Sequence, residues 1–127
     1  MLGIIASSVL PEIGERLGLE PRIVDTPYGP AVARVGEVGG REIACLLRHG
    51  EQIVPPHAVN YRANVRALAE LGCRDVLATG AVGSLWTDQR PTALCVPDQI
   101  LDFTRNRAST FFDDRLVCVD MTRPYCP

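Results

Sequence analysis

The chain has no excess of either charge. Thirteen Lys and Arg stand against fifteen Asp and Glu, for a net charge of −2, and the two signs are interspersed. No basic face is available for nucleic acid, nor any electrostatic draw towards an anionic membrane. No apolar stretch approaches the roughly 20 residues that span a bilayer. The first apolar run, 1–9, lacks a basic flank and is broken by Ser7 and Ser8, so it reads as a buried strand rather than a signal peptide. A cytoplasmic location is expected. Five cysteines (Cys45, Cys73, Cys95, Cys118 and Cys126) are an odd number without a C-x-x-C pair. Cys45, Cys95 and Cys118 sit in apolar runs, where a reduced cysteine behaves as a small hydrophobe. With only His49 and His57 to complete a ligand set, no metal site is expected. A G-x-G-x-x-G after the first strand is also missing, which weighs against a Rossmann-like or flavodoxin-like cofactor module.

What is present suffices for one ordinary core. At 127 residues and 46% hydrophobic content, a single domain over 1–127 is expected. The β-branched run Gly3-Ile4-Ile5 gives way to Ala6-Ser7-Ser8, after which Leu10, Ile13 and Leu17 recur at helical spacing up to Gly18. Ser8 is placed to cap that helix, and Pro11 is tolerated in its first turn. Residues 25–30 are dense in turn formers. The apolar runs 31–35 and 42–47, separated by Gly36-Glu37-Val38-Gly39-Gly40, suit an antiparallel hairpin. A helix is expected after Pro56, with Tyr61, Val65, Leu68 and Leu71 on one stripe and Gly72 as its stop. Residues 75–79 read as a fully buried strand, and 93–96, 100–103 and 116–119 as further strand candidates. The pattern predicts an α/β domain with a mixed, largely parallel central sheet flanked by helices, where ligands collect at the carboxyl ends of strands.

Candidate chemistry lies at those ends. Arg48 follows an apolar run and offers a planar fork to an oxyanion; His49 can donate a further hydrogen bond, and Gly50 closes the turn. Ser8 at a helix start, and Gly80 and Ala81 after a second strand, would add donors around the same anion. Each also has a plainer reading: Arg48 as a surface cation, Ser8 as an N-cap, His57 as an organiser of the next helix entry, and 79–85 as an ordinary strand-to-helix turn.

The order of these segments resembles the N-terminal half of the purine nucleoside phosphorylase family, in its methylthioadenosine/methylthioinosine branch. The residues that carry the resemblance are Gly3 to Leu10, Asp25-Thr26-Pro27-Tyr28-Gly29, Leu47-Arg48-His49-Gly50, Pro55 to Asn64, Thr79 to Leu85, Val96-Pro97-Asp98-Gln99 and the stretch 120–127. It implies a phosphorylase-like fold and phosphorolysis of a purine nucleoside, 5′-methylthioadenosine or 5′-methylthioinosine, to free base and (methylthio)ribose 1-phosphate. It further implies Ser8, Arg48, His49, Gly80 and Ala81 around phosphate, and Val82 and Gly83 towards the nucleoside. Phosphate is the co-substrate, no cofactor is needed, and a homotrimer is the family expectation.

The sequence departs from the family pattern in four places. Ala6, Ser7 and Val9 replace glycines of the first loop, and the stretch 51–54 is a residue short, lacks a histidine and brings Glu51 beside the anion site. Cys118 stands where many relatives carry histidine, and the family is about twice this long. These departures support an alternative of a different class: a non-catalytic phosphate- or nucleotide-binding remnant, or an assembly partner of a complete phosphorylase.

Overall fold

The computed structural model describes residues 1–7 and 10–126. They divide into two compact units, Met1–Ala81 and Val82–Pro127. The first unit contains all the strands and helices among the described residues: β1 (Leu2–Ala6), α1 (Leu10–Arg16), β2 (Glu20–Val24), β3 (Ala31–Val38), β4 (Arg41–Leu47), a 3-10 turn at Pro56–Ala58, α2 (Tyr61–Glu70) and β5 (Asp75–Ala78).

The strands form one mixed sheet in the order β2-β3-β4-β1-β5. β2, β3 and β4 are an antiparallel meander, whereas β1 pairs in parallel with β4 and with β5. This is the mixed α/β architecture expected from the sequence, with parallel and antiparallel pairings equal in number among the described residues rather than largely parallel. The expected hairpin forms with a tighter turn than the five-residue gap suggests, because β3 runs on to Val38. Gly39 (φ 59°) and Gly40 (φ 76°) alone make the reversal, and two successive positive φ angles are what a two-residue turn matched to strand twist requires. β2 has no clean alternation of apolar residues and contains Pro21, which a sheet tolerates at its edge; there it pairs with β3 only.

Alternation along the strands sends two sets of side chains to opposite faces. Ala31, Ala44 and Leu46 meet Ala63, Ala67 and Leu68 of α2 in the core, joined by Ile5, Val35 and Leu71. Small residues let the helix lie close to the sheet. A Cβ on Gly3 would stand 3.2 Å from Leu68 Cδ1, and Ala63 and Ala67 are fully buried. The buried stripe of α2 is therefore rotated from the expected one. Leu68 and Leu71 belong to it, but Val65 faces outward at 46% exposure, since the alanines rather than the larger residues mark the contact line. On the other face, Gly14 of α1 lies against Arg34, and Leu19 packs over Gly36. Burial pushes the Cys45 thiol above its ordinary value, as it does for Cys73.

Two expectations are corrected. β5 is a strand but not a buried one: all four of its residues are exposed, because it ends the sheet with β1 as its sole partner. In the second unit, 93–96, 100–103 and 116–119 form no strand. Apolar composition favours a strand only where a neighbouring strand takes up its backbone groups. That unit is organised instead by short local turns. Thr104 donates from both its backbone N–H and its hydroxyl to Asp102, Thr122 does likewise to Asp120, and Gln99 Nε2 reaches the Thr122 carbonyl at 3.1 Å. Donation from Thr104 and Thr122, hydroxyl first, holds both aspartates below the usual carboxylate range.

Candidate anion-binding site

Because β4, β1 and β5 are parallel neighbours, their carboxyl ends lie side by side. The ladder continues past each end: Arg48 N–H donates to the Ala6 carbonyl at 2.9 Å, and Thr79 N–H donates to the Ile5 carbonyl at 2.8 Å. Two of the predicted segments, 48–50 and 79–81, thereby flank the exit of β1. A Cβ added to Gly80 would stand 3.8 Å from Arg48 Nη1, so the glycine brings bare backbone alongside the guanidinium.

Arg48 is held from three sides. Its backbone N–H is in the sheet, its carbonyl accepts from Asn64 Nδ2 at 3.0 Å, and its Nε donates towards His49 Nε2 at 3.4 Å. Asn64 lies in the first turn of α2. That helix begins at Asn60, whose side-chain oxygen accepts from Ala63 N–H at 3.1 Å and whose Nδ2 donates to the Tyr28 carbonyl at 2.6 Å. The helix start thus ties the loop before β3 and the strand end of β4 together.

The 49–54 loop closes on itself. Val54 N–H donates to the His49 carbonyl at 2.9 Å, and His49 Nδ1 lies 2.9 Å from the Val54 carbonyl. A carbonyl only accepts, so Nδ1 carries the proton and Nε2 is the acceptor facing Arg48. In this arrangement His49 presents a lone pair to Arg48 Nε. Arg48, His49 and Gly50 line a cavity of about 320 Å³ together with Glu51, Val54, Asn60 and Asn64. The Glu51 carboxylate is paired with Arg34 Nη2 at 3.3 Å.

Of the expected site residues, the structure brings together Arg48, His49 and Gly80, with Ala81 exposed immediately beyond. Ser8 lies outside the described residues. Val82 and Gly83 begin the second unit and are exposed. Sequence reasoning missed Asn64 and Arg34. Asn60 and Asn64 at i and i+4 on a helix start were a readable sign of one polar face; Arg34 left no local sign.

An open α/β sheet with its ligand crevice at the carboxyl ends of its strands is the class these features define. The chain belongs to the phosphorylase superfamily, whose family model matches residues 2–127. It is 50% identical to a probable 6-oxopurine nucleoside phosphorylase of Thermococcus kodakarensis, over 82% of this chain and 42% of that protein. With a probable S-methyl-5′-thioinosine phosphorylase of Methanothermobacter thermautotrophicus it shares 48% identity, over 99% of this chain and 46% of the relative. A methylthioadenosine phosphorylase from Schistosoma mansoni, solved in complex with tubercidin, superposes with a TM-score of 0.88 at 37% identity, covering 98% of this chain and 47% of that one. The chain therefore spans about half the length of these relatives. Among the described residues, no helix is long and apolar enough to cross a membrane.

Proposed function

We propose that this chain is the N-terminal half of a single phosphorylase-like domain and supplies the phosphate side of a purine nucleoside phosphorylase acting on 5′-methylthioadenosine or 5′-methylthioinosine. The observation that carries this reading is the placement of Arg48 beside Gly80 at the joined ends of β4, β1 and β5. In phosphorolysis, a phosphate oxygen bonds to the anomeric carbon as the carbon–nitrogen bond to the base breaks. The bonding pair leaves with the base, which takes the proton that hydrogen phosphate gives up. Such a reaction needs donors fixed around a dianion before it needs a base. Arg48 supplies a charged fork with His49 beside it at the same site, and the backbone at Gly80 and Ala81 supplies N–H groups. Ser8 would add a hydroxyl, and Val82 and Gly83 would border the nucleoside. Phosphate serves as co-substrate, with no metal or organic cofactor, in a cytoplasmic homotrimer.

The test is phosphate-dependent release of base from methylthioadenosine, methylthioinosine, adenosine and inosine. It is run on the purified chain alone and mixed with a polypeptide matching the other half of a relative. Arg48→Ala is expected to weaken phosphate binding by about 1.5–3 kcal/mol, the worth of a hydrogen bond to a charged group. Unchanged phosphate affinity in that variant overturns the site.

A second reading is favoured by Ala6, Ser7 and Val9, which stand where the family pattern has glycines and would limit how closely the backbone approaches an anion: a non-catalytic phosphate- or nucleotide-binding remnant, or an assembly partner of a complete phosphorylase. Phosphate binding without turnover in the mixture would select it.

A further inference from the structure

We propose that Arg34 is a positioning residue of the anion site: by pairing with Glu51 it cancels a carboxylate that would otherwise repel phosphate and compete for Arg48. The inference rests on the reading of Arg48 as the phosphate ligand.

Glu51 lines the same cavity as Arg48 and His49. An unpaired carboxylate there has two unfavourable effects. It adds like charge to the surroundings of a dianion, and it offers Arg48 an internal pair of oxygens that could accept its fork in place of phosphate. Neither is what the structure contains. Glu51 Oε1 accepts from Arg34 Nη2 at 3.3 Å, across 17 residues of sequence.

Arg34 is built to hold that carboxylate rather than to wander on the surface. Its side chain is only 16% exposed, against 51% for Glu51. On β3 it stands opposite Cys45 of β4, so the strand register that fixes Arg48 at the end of β4 fixes Arg34 as well. Its stem runs under α1 where Gly14 has no side chain; a Cβ there would come within 2.8 Å of Arg34 Cδ. Arg34 Nε is buried without a partner, a cost that a guanidinium bears more readily when its outer nitrogens meet a counter-charge. With Glu51 drawn to Arg34, the Arg48 fork is left to His49, to Gly80 and to a ligand.

The experiment is titration of the full chain with inorganic phosphate at low and high ionic strength. The variants are Arg34→Met, Arg34→Lys, Glu51→Gln and the double variant Arg34→Met/Glu51→Gln. Arg34→Met is expected to weaken phosphate about three- to tenfold, the order of one uncompensated charge in the same partly exposed cavity, and the loss should shrink as salt screens it. Arg34→Lys keeps the charge and should recover most of the affinity. The double variant, which like the intact pair carries no net charge, should return to within about twofold of the unsubstituted chain. Persistent weakness in the double variant would mean that Arg34 acts by packing, and would overturn the proposal. If Arg34→Met does not fold, Arg34→Gln takes its place: it removes the same charge from a side chain that stays polar, the same loss is expected, and unchanged affinity overturns the proposal. Absence of phosphate binding in the unsubstituted chain, with Arg48→Ala no different, overturns the anion site itself.

Discussion

Ile53 bears the clearest local cost in the first unit. It adopts φ 50°, in the left-handed region, where a β-branched side chain is a genuine outlier. The 49–54 loop explains why: Val54 must return to the His49 carbonyl while Ile53 N–H reaches the Gly50 carbonyl at 3.2 Å, and so short a ring needs a positive φ near its end. Gly50 meets the same demand at φ 68° without penalty. Ile53 is 62% exposed and buries little in return. Ile53→Asn, which tolerates this conformation, is therefore expected to stabilise the chain by about 1 kcal/mol. A urea midpoint that stays put or falls would show that the isoleucine's remaining contacts outweigh its strain. The same loop shows what was legible at this scale. An arginine after an apolar run marks Arg48 as a strand-end cation, but the pairing that decides what surrounds it, Arg34 with Glu51, spans 17 residues and exists only through strand register.

Among the elements, α2 connects sequence, packing and site most directly. Asn60 caps it, accepting from Ala63 N–H, and with the other end of its amide holds the Tyr28 carbonyl. One residue thus fixes both the helix start and the loop before β3, and through Asn64 the helix fixes the Arg48 carbonyl. Asn60→Ala removes both bonds and is expected to cost about 1–2 kcal/mol, whereas Asn60→Asp keeps the capping oxygen and should lose less. Equal losses in chemical denaturation would mean that the bond to Tyr28, not the cap, carries the effect. Element existence was readable in part: Gly39-Gly40 announced the hairpin and Gly72, at φ 82°, the end of α2, whereas β2 had no signal of its own and 93–96, 100–103 and 116–119 form no strand. Burial was not. Val76 and Leu77 look like a core strand in sequence, but whether a strand is central or at an edge depends on partners that local composition does not name. Ala63 and Ala67 define the contact line of α2 because they are small, a property that a search for large apolar residues passes over.

For the molecule as a whole, the balance of buried and exposed apolar surface governs behaviour. The core of the first unit rests on small residues, with Leu46 and Leu68 its largest fully buried side chains. Meanwhile Val76 (48%) and Leu77 (56%) stand exposed on the edge strand, and in the second unit Leu85, Trp86, Leu94 and Leu116 are 70% exposed or more. Each almost fully exposed Leu forgoes roughly 1.5–3 kcal/mol of burial, and the half-exposed Val76 and Leu77 part of that, while a strand edge offers free N–H and C=O groups to any similar chain. The chain purified alone is therefore expected to associate beyond its 13.8 kDa mass and to bind a hydrophobic dye. Leu77→Lys, a charge on the exposed edge, should shift it towards monomer without disturbing the core. A polypeptide matching the other half of a relative should do the same by a different route, covering the surface instead of charging it, and should suppress dye binding as well. Sizing chromatography across a concentration series separates these expectations: a monomer at every concentration, with no dye signal, would show that the exposed apolar surface is tolerated as it stands.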